Sequence, residues 1–251
     1  MPELFLVDQI PTAPIFRVRT STPQLITELE AGTYKVYDTS TPVSGTVTAG
    51  GPPMYDDFAG MAVGASLTGR VAPSGQAWSL AAGSGPALVM GNYSGLETPD
   101  NTTQGVHFTS YTPSGADCWA ELDQIMVGTT FSTQNYWPVL RSNEAATDFY
   151  TAVVAASSGL ARIARVTGST TTYIATSATA LVAGDYPLSL RFEAEGNALR
   201  LLNAATGALL VSGTDSGITA AGRVGLRYVA GGESPLSTRG RRVSAFRAGV
   251  L

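Results

Sequence analysis

Short apolar runs separated by turn-forming residues dominate the chain from residue 55 onward. The runs are rich in Val, Ile, Leu, Tyr and Phe, and Gly, Ser, Thr, Asn and Asp lie between them. This pattern is typical of the strands of a β-sandwich, and helical periodicity is nearly absent. We therefore predict an all-β fold with strands at residues 77–80, 87–90, 106–109, 118–126, 136–141, 149–155, 161–167, 172–175, 187–194, 199–202, 208–212, 224–229 and 243–247.

Two tight hairpin turns are predicted within this pattern. Residues 195–197 and 204–207 each contain a glycine, which adopts a positive φ in such turns without steric cost. Just before them, Leu188, Leu190 and Phe192 alternate with polar residues. These three side chains are therefore predicted to share one face of a strand.

Composition excludes several classes of protein. The chain has 251 residues, enough for one large β domain and a small appendage, and its net charge of −4 offers no continuous positive surface for nucleic acid. Cys118 is the sole cysteine, so an intrachain disulfide is impossible, and we interpret it as a packed thiol. Residues 1–14 lack the features of a signal peptide, and no run reaches the ~18 apolar residues of a membrane span.

Residues 1–53 differ from the rest of the chain because prolines interrupt short segments throughout them. Residues 15–19 and 34–37 alternate like strands, and residues 22–32 fit either a short helix or a strand. A segment of this size is too small to own a full core. We therefore predict an N-terminal attachment arm at 1–53 and a main domain at 54–251. A tail folded back on its own domain is the alternative.

The two ends of the main domain carry a family resemblance. The opening segments Tyr55-Asp-Asp-Phe58, Leu67-Thr-Gly-Arg70 and 75–80 have their mates in 222–228 and 243–248. Together they resemble the first and last strands of a concanavalin A-like jelly roll, the lectin and glucanase (LamG-like) fold, in the version common in bacteriophage tail and capsid-appendage proteins. The resemblance covers roughly residues 55 to 248. It implies an antiparallel jelly-roll β-sandwich whose first and last strands lie side by side.

The resemblance to glucanases raises the possibility of glycoside hydrolysis. Retaining enzymes of that fold carry Glu-x-Asp followed by a second Glu, because retention needs two carboxyl groups about 5 Å apart. In Glu121-Leu-Asp123, the two acids align as the nucleophile and its helper, but Ile125 and Met126 occupy the positions of the acid/base. We therefore predict a non-catalytic protein, with Glu121 and Asp123 as the only catalytic candidates.

Sugar binding without chemistry needs an aromatic face and a few polar side chains. Neighbours on a strand point to opposite faces, so one of Tyr136 and Trp137 is predicted to be buried and the other to be exposed or to face the concave groove of the sandwich. The predicted ligand-binding residues are Trp119, Glu121, Asp123, Trp137 and Tyr150.

Two further clusters of charge have structural and functional interpretations. Asp56 and Asp57 could ligate calcium, as acidic residues of related lectin-like domains do, or cap a turn; we favour the turn and predict no cofactor, with calcium left open. The basic cluster near the C-terminus is interpreted as a solvated strand edge, with an anionic docking patch as the alternative. It comprises Arg239, Arg241, Arg242 and Arg247.

The resemblance then implies a non-catalytic structural protein of a bacteriophage virion: a tail-tip, fibre or capsid-decorating component. The arm would dock onto other virion proteins and the sandwich would present a surface for host glycan, in a homo-oligomeric assembly. Two alternatives stay open. One is a secreted carbohydrate-binding protein or a glycoside hydrolase that uses Glu121 and Asp123, and the other is a purely mechanical capsid cement protein.

Overall fold

A computed structural model describes residues 33–37, 42–46, 54–81, 84–91, 95–99, 104–127, 135–155, 158–229 and 240–251. The chain divides into two compact units, Met1–Pro52 and Pro53–Leu251. In the first unit, β1 (Thr33–Tyr37) pairs antiparallel with β2 (Pro42–Thr46), which confirms the strand predicted at 34–37. The strand predicted at 15–19 and the segment 22–32 lie outside the described residues.

The second unit is built almost entirely of strands, and one 3₁₀ turn at Ala183–Asp185 is described in it. Its strands are β3 (Met54–Asp56), β4 (Trp78–Leu80), β5 (Val89–Met90), β6 (Leu96–Glu97), β7 (Gln104–Thr109), β8 (Cys118–Val127), β9 (Asn135–Ser142), β10 (Asp148–Val154), β11 (Leu160–Thr167), β12 (Thr170–Ala180), β13 (Leu188–Glu195), β14 (Ala198–Asn203), β15 (Leu209–Thr214), β16 (Arg223–Val229) and β17 (Gly240–Val250).

These strands form two antiparallel sheets, which we call sheet A and sheet B. Sheet A has the order β12-β11-β10-β9-β16-β7-β4, and sheet B has the order β15-β14-β13-β8-β17-β6-β5, with β3 also paired to β17. The predicted antiparallel β-sandwich of the lectin-like jelly-roll type is therefore confirmed. Each strand position expected between residues 77 and 247 contains a strand, because period-2 alternation is a local signal. The two-residue strand β6 is too short for such a signal.

The core lies between the inner faces of the two sheets. Leu188, Leu190 and Phe192 of β13 are buried together, as their alternation predicted, and Cys118 of β8 is buried in the same core. The predicted hairpin turns also form, with φ of 53° at Gly196 and 72° at Gly207 in the turns before β14 and β15.

The first and last strands of the main domain lie side by side, as predicted. Asp56 of β3 pairs with Phe246 of β17. The Trp78 ring contacts Phe246 edge-on at a centroid distance of 5.0 Å and lies 6.1 Å from the Phe58 ring. This aromatic cluster joins the two ends of the domain through the core.

The interpretation of the C-terminal arginines as a solvated strand edge is wrong for Arg241 and Arg242. Both side chains are fully buried, because β17 is an interior strand of sheet B. Arg241 Nη1 donates to the carbonyl of Val154 at 2.6 Å, and Arg242 Nη2 lies 2.7 Å from Glu97 Oε2. The sequence shows that these residues are cations, but it does not show which strands lie beside theirs in the sheet. In the part of the chain that the structure describes, no helix is long and apolar enough to cross a membrane.

Candidate functional site

The five predicted ligand-binding residues lie in three different places. Trp119, Glu121 and Asp123 are partly exposed positions of β8 that alternate with the core residues Cys118, Ala120 and Leu122, so these three lie on the outer face of sheet B. Trp137 lies on the outer face of sheet A, since its neighbour Tyr136 belongs to the core. Tyr150 points into the core. The sequence therefore named residues that the fold does not bring together.

On sheet B, the two catalytic candidates are held by one arginine. Arg247 Nη1 donates to Glu121 Oε1 at 2.9 Å, and Arg247 Nη2 lies 2.8 Å from Asp123 Oδ2. The hydroxyl of Ser189 donates to Asp123 Oδ1. Burial raises the pKa of Glu121, and the charge of Arg247 opposes that shift. The register also places Arg191 beside Glu121 on the other side, so both neighbours across the strands are cations.

The indole of Trp119 is covered by an arginine that has carboxylate partners. The guanidinium carbon of Arg191 lies 4.1 Å from the Trp119 ring centroid, and Arg191 Nε donates to Glu193 Oε1 at 2.8 Å. Arg200 joins Glu193 and Glu195 at 3.2 and 2.6 Å. The arginines on this face of sheet B thus have their counter-ions within the protein.

The outer face of sheet A has a different character, because it carries a second apolar cluster. Phe149 and Val139 belong to that cluster, whereas their strand neighbours Tyr150 and Leu140 belong to the main core. Neighbouring side chains on a strand point to opposite faces, so the second cluster lies on the outside of sheet A. Its buried members are Ala81, Val106, Phe108, Val139, Phe149 and Val166.

Three arginines lie over aromatic rings on this face. Arg227 is 4.5 Å from the ring centroid of Trp137 and 5.7 Å from that of Phe149. Arg223 lies over Phe108 at 4.6 Å, and Arg162 lies over Tyr173 at 5.0 Å. We call this surface the stacked-arginine face; it comprises Phe108, Trp137, Phe149, Arg162, Tyr173, Arg223 and Arg227.

Backbone packing excludes a side chain from the middle of this face. Gly225 lies between Arg223 and Arg227 on β16, and a Cβ atom there would overlap the carbonyl oxygen of His107 on the paired strand β7. Only glycine fits this close approach. As a result, no side chain separates the two arginines along β16.

Arg227 and Trp137 have polar atoms without partners. Among the described residues, neither Arg227 Nη1 nor Trp137 Nε1 has a hydrogen-bond partner, although both atoms are buried. The two residues pair across β16 and β9, so their side chains leave the same face of sheet A. Burial lowers the pKa of Arg227, and Tyr173 acts on it in the opposite direction. Buried polar atoms are nearly always paired, so this pair marks a place where a partner belongs.

The remaining candidates have structural roles. The Tyr150 hydroxyl donates to Asp215 Oδ1 at 2.6 Å and accepts from the backbone N–H of Ile218 at 2.9 Å. Asp56 is buried and accepts from Arg70 Nη2 at 2.7 Å, from Trp78 Nε1 at 2.8 Å and from the backbone N–H of Phe58 at 2.8 Å.

Asp57 accepts from the backbone N–H of Ala59 at 3.0 Å and from the hydroxyl of Tyr55 at 3.2 Å. Asp56 and Asp57 therefore act as turn caps. Within the described ranges, no group of three or more His, Cys, Asp or Glu side chains could hold a metal ion.

A sequence signal for the stacked-arginine face exists in β16. Arg223, Gly225 and Arg227 alternate with the apolar residues Val224, Leu226 and Tyr228. This alternation places both arginines on one face, opposite the core. It does not show that aromatic side chains of neighbouring strands lie beneath them, because that depends on the register between strands distant in sequence.

No protein-family model and no curated protein matches this chain. Among solved structures, the Ca²⁺-bound exoplasmic/lumenal domain of VIP36 aligns with a TM-score of 0.50 at 9% identity, covering 74% of this chain and 88% of that one. The Ca²⁺/Man2-bound form of the same domain aligns with a TM-score of 0.50 at 9% identity, covering 74% and 86%. The carbohydrate-binding module CBM66 from Bacillus subtilis aligns with a TM-score of 0.47 at 18% identity, covering 70% and 96%. At these identities the likeness is one of fold, that of lectin-like β-sandwiches.

Proposed function

We propose that the main domain is a non-catalytic glycan-binding module and that its ligand lies on the stacked-arginine face. The observation that carries the proposal is an apolar, aromatic floor on an outer sheet surface, with guanidinium donors above it. A sugar ring offers an apolar face of C–H groups and an edge of hydroxyl groups. It is therefore complemented by aromatic rings beside hydrogen-bond donors.

Tyr173 supplies the accessible ring of this site. Its side chain is 52% exposed on β12, while Trp137 is only 9% exposed beneath Arg227. We therefore expect a sugar to stack on Tyr173 and to be oriented by the nearby arginines. The fold likeness to the mannose-bound VIP36 domain is consistent with a sugar ligand, but the placement on sheet A rests on the residues of this chain.

The outer face of sheet B is a poorer candidate because its charges are already matched. Arg247 holds Glu121 and Asp123, and Arg191 holds Glu193. A ligand there would have to break ion pairs before it could make new hydrogen bonds. The same pairing opposes hydrolysis, since both strand neighbours of Glu121 are arginines. Hydrolysis through Glu121 is tested by release of reducing sugar, which we expect neither the natural chain nor Glu121→Gln to produce.

The two faces offer a matched pair of tyrosines for the test. Tyr173 lies under Arg162 on sheet A, and Tyr55 lies under Arg247 on sheet B at 5.4 Å and is 38% exposed. We expect purified protein to bind members of a glycan array, and Tyr173→Ala to weaken that binding about two- to tenfold, since aromatic contacts contribute ~0.5–1.5 kcal/mol. Tyr55→Ala is the control and should bind as the natural chain does. Binding lost in Tyr55→Ala alone would move the site to sheet B, and a natural chain that binds no glycan would refute the function.

We also propose, from the sequence resemblance, that the module is displayed on a bacteriophage particle through residues 1–53. The hairpin of β1 and β2 is too small to bury a core of its own, which is consistent with a segment that docks onto a neighbour. Immunogold labelling of purified particles tests this placement. We expect a chain without residues 1–53 to stay folded but to be missing from particles, whereas a truncated chain that still assembles would refute the arm.

A further inference from the structure

Among the residues that the structure describes, Arg227 lacks the carboxylate partner that several other partly or fully buried arginines have. In the described parts of the chain, it forms no ion pair or hydrogen bond, and its Nη1 atom is buried. Four other buried or half-buried guanidinium groups each meet a carboxylate: Arg70 meets Asp56, Arg165 meets Asp215, Arg242 meets Glu97 and Arg247 meets Glu121. A desolvated cation without a counter-ion costs free energy, so the stacked-arginine face is electrostatically incomplete.

Trp137 adds a second donor at the same place. Its Nε1 atom is buried and has no acceptor among the described residues. The guanidinium of Arg227 lies 4.5 Å from the centroid of the Trp137 ring. An indole N–H and a guanidinium can only donate. The group that suits this place is therefore an acceptor with a negative charge, which describes an oxyanion better than a hydroxyl group.

The charges around this pair favour an anion as well. Arg162 lies on the same face over Tyr173 and has no carboxylate partner in the described ranges. Arg223 reaches a carboxylate, Glu144, but at 3.5 Å, and that side chain is 94% exposed. Burial lowers the pKa of Arg227, as expected for a cation that lacks a counter-ion.

From these contacts we infer that the stacked-arginine face binds an acidic glycan, whose carboxylate or sulfate group pairs with the guanidinium of Arg227 beside Trp137. The inference rests on the proposed glycan-binding function and specifies the class of its ligand. The sugar ring that carries the anion lies toward Tyr173, and Arg162 extends the positive surface along the face. Because the anion replaces a missing counter-ion, it supplies both affinity and selection against neutral sugars.

Sheet B provides a matched control for the key arginine. Arg191 covers Trp119 at 4.1 Å much as Arg227 covers Trp137, but Arg191 has Glu193 as its counter-ion. Arg227→Gln removes the unpaired charge, and Arg191→Gln removes a paired one from an equivalent arginine–tryptophan stack. The two variants therefore separate the effect of the unpaired charge from the effect of stacking.

The test uses the full chain and sets of oligosaccharides that share one backbone and carry a neutral, a hexuronate or a sulfated residue. We expect the natural chain to bind one of the acidic members at least about tenfold more tightly than the neutral member, and this preference to shrink as salt is raised. If the hexuronate member binds most tightly, the anion is a carboxylate. If the sulfated member binds most tightly, the anion is a sulfate. Arg227→Gln should bind the acidic oligosaccharide no more tightly than the neutral one. Arg191→Gln should still prefer the acidic oligosaccharide.

Two outcomes separate this inference from the proposed function. If the natural chain binds neutral and acidic members equally, the anion site is refuted while glycan binding stands; if it binds none of them, both fail. A preference that survives in folded Arg227→Gln, or is lost in Arg191→Gln, also overturns the inference. The comparison of ligands on the natural chain does not depend on the folding of either variant.

Discussion

The outer faces of the two sheets each stack an arginine on a tryptophan, but the two stacks differ in whether a carboxylate pairs with the arginine. Sheet B stacks Arg191 on Trp119, and sheet A stacks Arg227 on Trp137 at a similar distance. On sheet B a carboxylate completes the stack, while in the described ranges none does so on sheet A. Cation–π stacking therefore does not identify a binding surface in this fold. An arginine that has a carboxylate counter-ion has a structural role, whereas a stacked arginine without one indicates a site for a ligand.

Among the predicted changes, breaking the buried ion pair of Arg242 and Glu97 should have the largest effect on the stability of the protein. Both side chains are essentially inaccessible, at 0% and 1% exposure. We expect Glu97→Ala to lower the free energy of unfolding by about 3–5 kcal/mol, because it leaves a buried guanidinium without its counter-ion. Urea unfolding measures the change, and Glu144→Ala, at an exposed end of an ion pair, should stay within ~0.5 kcal/mol. Equal effects of the two variants would contradict the distinction.

Acid should destabilise the protein through sheet A, because the sole histidine lies on β7. His107 is buried and its Nε2 accepts from the backbone N–H of Leu88 at 3.0 Å. Burial lowers the pKa of His107 from 6.5 to about 3. The unfolded chain therefore binds a proton below about pH 6.5 while the folded chain does not, so stability present above that pH is lost as the pH falls toward about 3.

The expected loss is about 1.4 kcal/mol per pH unit within that window, or ~2 kcal/mol at about pH 5. Urea unfolding at about pH 7 and about pH 5 measures it. His107→Gln retains an acceptor for Leu88 but has no proton to gain, so the difference between the two chains isolates the histidine. An equal loss in both chains would place the acid sensitivity elsewhere.

The comparison of paired and unpaired arginines has a direct stability test of smaller size. Arg247→Ala leaves Glu121 and Asp123 half-buried without their counter-ion, and we expect it to cost about 1–2 kcal/mol. Arg227→Ala removes a charge that has no described partner, so we expect a smaller loss than that of Arg247→Ala, or a gain in stability. Thermal and urea unfolding of both variants check the order. A larger loss in Arg227→Ala would show that this arginine serves the fold.

The sequence alone determined the strands, the two hairpin turns and the inward face of β13. These features depend on period-2 alternation and on glycines that adopt positive φ, both of which act over a few residues. It also predicted that the two ends of the main domain meet, through the resemblance of their strands. Alternation correctly places Tyr136 and Trp137 on opposite faces of β9, but both side chains are buried, so the predicted exposure of one of them is wrong.

Only the tertiary structure decided which charges are paired and which are not. Alternation shows that neighbours face opposite ways but not which face is covered or which strand lies beside it, so the buried Arg242 was interpreted as solvated. Glu97 and Arg242 lie on separate strands that only the β6–β17 pairing brings together. The exceptional position of Arg227 is likewise invisible in the sequence, because the lack of a counter-ion is a property of everything packed around it.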